Sequence, residues 1–386
     1  MTNITDKALL PAGMQDGLPP EAAHEADASA RLVAHFDTWG YARVKPPLME
    51  FEENLLGGTG KAVSAQAFRL QDPVSQRMLA LRPDMTVQIA RIAQSRLSNT
   101  PRPLRLAYSG EVVRVKGSQL RPEREFGQVG AELIGAPDPA GDVEIVLMAV
   151  EALSAIGIEG LSIDLGLPTL APAVTAVCDL SDTQARELRI ALNRKDSSGV
   201  KALADALGDD VSAALTVMLD AVGPANTALA KLSRLNLGEA AAAELKHLSA
   251  VTNGIVNANP DIKLTIDPVE NRGFEYHTGI TYAVFARAAG SELGRGGRYS
   301  VGRNGETEHA TGLTLFMDTV MQALPDAEAR QTVFLPWGTS AGDAQNLRAE
   351  GWRTVAALSD EPDAKGEARR LNCTHLLEGG KVRVLN

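Results

Sequence analysis

Two long strand patterns joined by a polar loop constrain the fold of this chain most strongly. The segments LRLAYSGEVVRV and REFGQVGAELIG flank KGSQLRPE between Leu104 and Ile134. Two such runs separated by a short polar stretch are typical of adjacent antiparallel strands. Further strand patterns occur in GLSIDLG, IKLTIDPV and GITYAVFA. Because the strands come in adjacent runs rather than in regular β–α–β alternation, we predict an α+β domain with a largely antiparallel sheet.

The strand pattern that ends at Ile134 has two chemically different faces. Side chains alternate along a strand, so Val129 and Leu133 belong to an apolar face that should pack on helices. Gln128 and Glu132 share the other face, and Gly130 between them leaves room for an approaching group. Polar groups around a hollow suit a ligand floor, although a simply solvated strand face would have the same pattern.

Other segments carry polar groups that could join this floor. LRPDMTVQIARI places Asp84 and Thr86 just before a predicted helix, where helix capping is the commoner role for either side chain. ENRGFEYHTGITY contains Arg272, which could pair with a neighbouring acid or bind a ligand carboxylate. GRGGRYS lacks the lysine and the spacing of a phosphate-binding loop, so by itself it favours a plain turn.

The N-terminal part of the chain predicts a helix followed by an edge strand. Pro20 suits a helix start, and Gly40 is well placed to end that helix. Pro46 and Pro47 cannot donate hydrogen bonds to a neighbouring strand, so the strand that contains them should lie at an edge or an interface.

Changes of pattern along the chain indicate its domain organisation. A helical block over about residues 176–258, with Ser181 as the expected N-cap, is inserted between strands of one sheet and predicts a small subdomain. We therefore predict a main domain over residues 1–325 that contains this insertion. Alternating strand and helix patterns over residues 326–386 predict a small parallel α/β unit, short for an independent domain.

Composition argues against several functional classes. The net charge of −10 weakens the case for nucleic-acid binding, which needs clustered cations. Two distant cysteines suit a reducing compartment, and the absence of long apolar stretches predicts no membrane partner and a cytoplasmic location. The six histidines form no metal-binding pattern, and no GxSxG motif is present. No metal and no cofactor are therefore expected.

These segments, in this order, resemble histidyl-tRNA synthetase, a class II aminoacyl-tRNA synthetase, over nearly the whole chain. PAGMQDGLPPEAA with WGYARVKPPLMEF is similar to that family's start and its motif 1, and YSGEVVRVKGSQLRPEREFGQVGAELIG is similar to motif 2. LALRPDMTVQIAR resembles the family's LRPEGT loop, NRGFEYHTG resembles its RGLDYY signature, and GRGGRY with a helix expected from Thr311 resembles motif 3. The resemblance implies a class II synthetase-like antiparallel sheet with flanking helices, and a homodimer formed through motif 1.

The resemblance also implies a pocket for free histidine. The residues that correspond to those of the family are Asp84, Thr86 and Gln128 at the α-amino end, Arg272 at the carboxylate, and Glu132 with Tyr276 at the imidazole. Acids then meet the ammonium and the imidazole N–H, and a guanidinium meets the carboxylate. Asp84 is one carbon shorter than the family's glutamate, and His277 replaces a second tyrosine.

The ATP side departs from the family's pattern. Arg114 retains the motif 2 arginine that contacts the α-phosphate, but Lys116 replaces the acid that reads adenine and Pro122 replaces a loop arginine. In motif 3, Thr319 replaces the ATP-binding arginine and Phe316 replaces a glycine. Adenylate formation needs such donors at the phosphates, so these changes predict that no adenylate is made.

A histidine pocket without ATP chemistry suits a sensor. The C-terminal unit is also too short for the family's anticodon-binding domain. The resemblance then implies a regulatory subunit of short-form ATP phosphoribosyltransferase, a non-catalytic paralogue that partners the catalytic subunit in the first step of histidine biosynthesis, with L-histidine as effector. The alternatives are a divergent histidyl-tRNA synthetase, a paralogue that acts on another amino acid or modifies a protein, and a pure scaffolding protein.

Overall fold

The chain forms two compact units whose boundary falls between Pro325 and Asp326. The computed structural model describes residues 9–118, 121–270, 277–303, 306–327 and 330–385. Among the described helices, none combines the length and the apolar character needed to cross a membrane.

The larger unit is built on a sheet that has nine strands within its described residues. From edge to edge these are β1 (Ala42–Arg43), β5 (Leu104–Val113), β6 (Glu125–Ile134), β12 (Glu306–Phe316), β11 (Gly294–Arg303), β10 (His277–Ala286), β7 (Leu161–Gly166), β9 (Lys263–Asp267) and β8 (Gly223–Pro224). Of the described neighbours, β1–β5 and β7–β9 are parallel and the other pairs are antiparallel. The predicted α+β fold with a largely antiparallel sheet is confirmed.

Helices cover the apolar face of this sheet. Helix α1 (Glu21–Thr38) begins directly after Pro20 and is followed by Gly40 with a φ of 82°, as the sequence predicts. It packs with α4 (Pro139–Ala155) against the apolar face of β6, where Val129, Ala131 and Leu133 are fully buried. The two-residue strand β1 that follows α1 is an edge strand, but the predicted strand does not continue to Pro46 and Pro47, which lie between β1 and the next strand.

The larger unit also contains a smaller, three-stranded sheet. It consists of β2 (Met49–Phe51), β3 (Arg69–Gln71) and β4 (Met78–Leu81), with α2 (Glu52–Leu55) and a 3₁₀ helix (Gly58–Gln66) between the first two strands. Helix α3 (Thr86–Ser95) follows directly. Its Gln88 donates to the carbonyl of Pro47, and the buried Arg82 donates to the carbonyl of Pro46, which fixes the proline segment to the loop before α3.

The inserted block is helical as predicted but shares its core with the main sheet. Its elements are α5 (Leu170–Thr175), α6 (Asp182–Asn193), α7 (Ser197–Lys201), α8 (Ala204–Leu207), α9 (Asp209–Asp220), α10 (Ala225–Leu232) and α11 (Glu239–Ala258). Ser181 caps α6 in a reciprocal capping box with Gln184. Leu192 and Leu248 of the insertion belong to the same cluster of buried side chains as Ile163 of the sheet, so the block does not form a core of its own.

Two local predictions are wrong. GRGGRYS is not a turn but the central strand β11, because its glycines let neighbouring strands approach: a Cβ on Gly296 would lie 2.0 Å from the carbonyl oxygen of Gly312. The helix expected from Thr311 does not start there. Strand β12 continues to Phe316, since Leu313 and Leu315 face one side of the sheet in strand alternation, and helix α12 (Met317–Ala323) begins only afterwards.

The C-terminal unit is a small α/β layer with one antiparallel strand. Its elements are β13 (Thr332–Leu335), α13 (Ala341–Ala349), β14 (Arg353–Ala356), α14 (Ala364–Arg370), β15 (His375–Glu378) and β16 (Lys381–Val384). Strand β13 pairs in parallel with β14 and β15, as predicted, but β16 returns antiparallel to β15. Gly379 and Gly380 both have positive φ, which is the two-residue hairpin turn that reverses the chain here.

Candidate functional site

The polar face of β6 forms the floor of a buried site centred on Glu132. This carboxylate is 1% exposed and accepts a hydrogen bond from the hydroxyl of Tyr299 (2.8 Å) at Oε2. Its Oε1 accepts from the hydroxyl of Tyr108 (3.2 Å), which also lies 2.7 Å from the hydroxyl of Thr314. Three strands, β5, β11 and β12, therefore contribute side chains around one carboxylate of β6. The alternative of a solvated strand face is excluded.

Glycines make the space for this carboxylate. A Cβ on Gly312, which is opposite Glu132 in the register of β12 and β6, would lie 1.7 Å from Glu132 Oε2. A Cβ on Gly130 would lie 2.4 Å from the ring of Tyr108. The hollow that the sequence predicts at Gly130 is thus filled by the phenol of the neighbouring strand, which delivers its hydroxyl to Glu132.

The environment changes the protonation of Glu132. Burial raises its pKa to about 8, while the hydrogen bonds from Tyr299 and Tyr108 act in the opposite direction. The carboxyl group is therefore largely protonated at pH 7. In that form it can both donate and accept hydrogen bonds, which matches an imidazole with one N–H and one bare nitrogen.

The second part of the site lies where α3 begins. Asp84 Oδ1 accepts from the backbone N–H of Thr86 (2.9 Å), so Asp84 does bind the start of the helix. Gln128 Nε2 donates to Asp84 Oδ2 (3.1 Å), and Gln128 Oε1 accepts from the backbone N–H of Met85 (3.2 Å). Both ends of the Gln128 amide are therefore used to hold the loop that carries Asp84.

The structure brings most of the predicted amino-acid site together. Thr86 is buried, with its hydroxyl 3.4 Å from that of Tyr108, and this contact joins the Asp84 group to the Glu132 group. Arg272 and Tyr276 lie outside the described residues. The neighbouring His277 opens β10 opposite Tyr299, and a Cβ on Gly297 would lie 2.8 Å from its ring.

The nucleotide side of the resemblance is packed with the chain's own side chains. The guanidinium of Arg121 lies 3.8 Å from the ring centre of Phe316 and forms an ion pair with Asp318 (2.8 Å). Phe316 meets Phe126 edge to face, with ring centres 6.1 Å apart. Thr319 is buried and donates to the carbonyl of Glu292 (2.8 Å).

Arg114 is also engaged within the chain. Its Nε donates to the carbonyl of Pro83 (3.2 Å), and its guanidinium lies 4.9 Å from the ring centre of Phe126. Burial lowers the pKa of Arg114, and the nearby Asp84 acts in the opposite direction. Lys116 and Pro122, by contrast, are exposed.

Three residues of these clusters were not predicted from the sequence. Tyr108 and Tyr299 are buried donors to Glu132, and Arg121 fills the nucleotide side. Strand alternation could have identified Tyr108, which is paired with Gly130 across β5 and β6. No local signal distinguishes Arg121, because its partners Phe316 and Asp318 are almost 200 residues away in the chain.

A central antiparallel sheet with this floor defines a class II synthetase-like protein. The family model described as histidyl-tRNA synthetase matches residues 13–320. The fold is similar to a solved histidyl-tRNA synthetase from Nostoc sp. PCC 7120, with a TM-score of 0.77, 18% identity and coverage of 98% of this chain and 95% of that one. It is also similar to a structure described as an ATP phosphoribosyltransferase regulatory subunit/histidyl-tRNA synthetase from Bacillus halodurans, with a TM-score of 0.81, 24% identity and coverage of 94% and 96%.

Relatives with higher sequence identity show to which family of class II synthetase-like proteins the chain belongs. Proteins named ATP phosphoribosyltransferase regulatory subunit match at 50% identity in Rhodospirillum centenum, covering 98% of this chain and 96% of the relative. The relative of that name in Paramagnetospirillum magneticum is 51% identical, with 98% of each chain covered. The chain belongs to the family of ATP phosphoribosyltransferase regulatory subunits.

The raised pKa of Glu132 predicts a pH dependence of stability. Between about pH 4.5 and 8 the folded state binds more protons than the unfolded state, so the free energy of unfolding falls as pH rises through this window. In Glu132→Gln this contribution disappears. We therefore expect the free energy of unfolding to fall less steeply with pH than in the wild type, by up to about 1.4 kcal/mol per pH unit. Urea denaturation at pH 5, 6, 7 and 8 measures it.

The exposed Glu125 at the start of the same strand provides the matched control. Glu125→Gln should leave the pH dependence of the wild type in place. Parallel curves for the wild type and Glu132→Gln would contradict the protonation of Glu132.

Proposed function

We propose that this chain is the non-catalytic regulatory subunit of ATP phosphoribosyltransferase, that it acts in the cytoplasm in the first step of histidine biosynthesis, and that it senses L-histidine. One observation carries the proposal. The amino-acid side is a hydrogen-bonded polar cluster around Glu132 and Asp84, whereas the nucleotide side is occupied by Arg121 packed on Phe316. The names of the relatives support the assignment of the partner.

The pocket suits histidine in its two polar regions. Asp84 keeps a carboxylate at the N-terminus of α3, where an α-ammonium group would find a negative charge. Glu132 lies four residues further along β6 than Gln128, which binds Asp84, and offers a protonated carboxyl group to the imidazole. Tyr108 and Tyr299 already hold this carboxyl group in place, so ligand binding need not order it.

The other side of the site argues against adenylate chemistry. Transition states of this kind need preorganised cations and donors aimed at the phosphates. Arg121 is instead neutralised by Asp318, and Arg114 is bound to a backbone carbonyl. The position of the family's motif 3 arginine is a buried threonine, Thr319, whose hydroxyl donates to the backbone. Of the positions where the synthetases bind ATP, only Arg114 keeps the family's cation, and its Nε is already bonded within the chain.

The function is tested by reconstitution with the catalytic subunit of the same organism. We expect the two chains to co-elute as a complex and the rate of phosphoribosyl-ATP formation to rise when this chain is added. This chain alone should support no histidine-dependent ATP–pyrophosphate exchange. Exchange above background would favour a divergent synthetase, and absence of both complex and activation would refute the proposal.

Histidine sensing is tested by calorimetric titration and by inhibition of the reconstituted enzyme. L-histidine should bind and L-leucine should not, and at 100-fold excess over Kd the ligand stabilises the fold by about 2.7 kcal/mol. Removing one partner of a buried hydrogen bond leaves the other unsatisfied and costs about 1–3 kcal/mol, so Glu132→Ala should weaken binding by about 5- to 150-fold. Inhibition by histidine should be weakened in parallel.

Two variants sharpen this result. Asp84→Asn removes the charge expected to meet the α-ammonium group and should also weaken binding. Glu125→Ala removes a carboxylate from the same strand outside the pocket and should leave the affinity unchanged. Equal affinities for the wild type and Glu132→Ala would remove Glu132 from the ligand site.

We also propose that the chain forms a homodimer through its first edge strand. Ala42 and Arg43 of β1 are exposed, and an open strand edge offers unpaired backbone groups to a second copy. Light scattering at micromolar concentration should give the mass of a dimer. Ala42→Lys should shift the equilibrium toward monomer, since lysine at an edge opposes pairing.

The control is Ala242→Lys, which adds the same charge at an exposed position of α11. It should leave the dimer intact. A wild-type chain that is monomeric at micromolar concentration would refute the dimer and leave the assignment of the regulatory subunit untouched.

A further inference from the structure

A second buried polar cluster lies on the opposite face of the main sheet from Glu132. Its centre is Asp142 of α4, which is fully buried. Asp142 Oδ2 accepts from Arg298 of β11 through Nη2 (2.6 Å) and Nε (3.1 Å), and it lies 2.8 Å from Nε2 of His247 on α11. The cluster thus joins the sheet, a helix of the main domain and the helical insertion.

The hydrogen bonds of this cluster are unevenly distributed. Arg298 also donates to the backbone carbonyls of Ala136 and Asp138, both at 2.9 Å, so its guanidinium is firmly held. Asp142 Oδ1 is buried and has no hydrogen-bond partner among the described residues. Burying a carboxylate whose second oxygen is unsatisfied costs free energy, which the bonds of Oδ2 to Arg298 and His247 must offset.

The two clusters are attached back to back on the same two strands. Arg298, which binds Asp142, is the neighbour in sequence of Tyr299, which binds Glu132. On β12, Gly312 lies against Glu132, while its carbonyl oxygen accepts from the hydroxyl of Tyr282 on the opposite face (3.0 Å). Adjacent strand residues point to opposite faces, so a shift of β11 that moves Tyr299 also moves Arg298.

His247 connects this arrangement to the insertion. It lies in the middle of α11, a helix of 20 residues, and its side chain is 22% exposed, whereas Asp142 and Arg298 are buried. A displacement of Arg298 therefore reaches α11 through a single carboxylate oxygen that both side chains share.

We propose that Asp142, Arg298 and His247 form a relay through the sheet: they hold β11 where Tyr299 orients Glu132, and they transmit a change at Glu132 to α11 and the helical insertion. These three are positioning residues, which act on the pocket through Tyr299. The use of the relay in feedback by histidine rests on the proposed function. The mechanical connection does not.

The connection is tested without ligand, by hydrogen exchange of the α11 amides in the full-length chain. Glu132→Gln should change exchange in α11 by about fivefold or more, the lower range of coupling between sites. In a His247→Ala background the same substitution should leave α11 exchange unchanged. His247→Gln retains an N–H donor for Asp142 and should restore the response.

Two further variants separate the relay from loss of structure. His35→Ala removes another histidine–carboxylate pair, His35 of α1 with Glu151 of α4 (3.4 Å), which includes no residue of α11, and the response to Glu132→Gln should persist in it. Arg298→Lys keeps the charge but loses the planar fork and should abolish the response even if His247→Ala fails to fold. An α11 response that survives both His247→Ala and Arg298→Lys, or that is absent from the wild-type background, would overturn the relay.

The same exchange measurement with L-histidine added distinguishes failure of the relay from failure of the proposed function. If the relay carries the signal, L-histidine should change the hydrogen exchange of the α11 amides in the wild type. It should leave this exchange unchanged in His247→Ala. Binding of histidine without any change in α11 would refute the relay. An α11 response to Glu132→Gln in a chain that binds no histidine would support the relay and refute histidine sensing.

Discussion

The burial of the Glu132 carboxyl group determines much of the architecture around it. A carboxyl group at the centre of a sheet needs hydrogen-bond donors and cannot remain ionised without strong partners. Tyr108 and Tyr299 reach it from strands on either side of β6, and Gly312 leaves the volume that it occupies. The strands β5, β6, β11 and β12 must therefore keep a fixed register relative to one another. Burial of the carboxyl group also raises the pKa of Glu132.

Features that depend on neighbouring residues in the sequence could be predicted well. Alternation along β6 separated the apolar face of Val129 from the polar face of Glu132, and the structure places both as expected. The cap at Ser181 and the end of α1 at Gly40 follow equally from local backbone chemistry. The largely antiparallel sheet could be predicted because the strand patterns follow one another in adjacent runs along the sequence.

Features that depend on residues across the sheet could not be predicted. GRGGRYS has the composition of a turn, and it forms a strand because Gly296 is pressed against the backbone of β12. The sequence predicts a hollow at Gly130, but it does not show that Tyr108 of β5 fills it. The resemblance implies that Gln128 binds the α-amino end of a ligand. Its contacts with Met85 and Asp84 could not be predicted, because only the folded loop brings these residues within reach.

The two halves of the site differ in the way their polar groups are satisfied. Around Glu132, tyrosine hydroxyls hold a carboxyl group that keeps the capacity to donate and accept. On the other side, the opposite charges of Arg121 and Asp318 pair with each other beside the ring of Phe316. This difference fits the proposed histidine sensor. The half around Arg121 is closed by the chain's own side chains, whereas the half around Glu132 keeps hydrogen-bonding groups that a ligand could use.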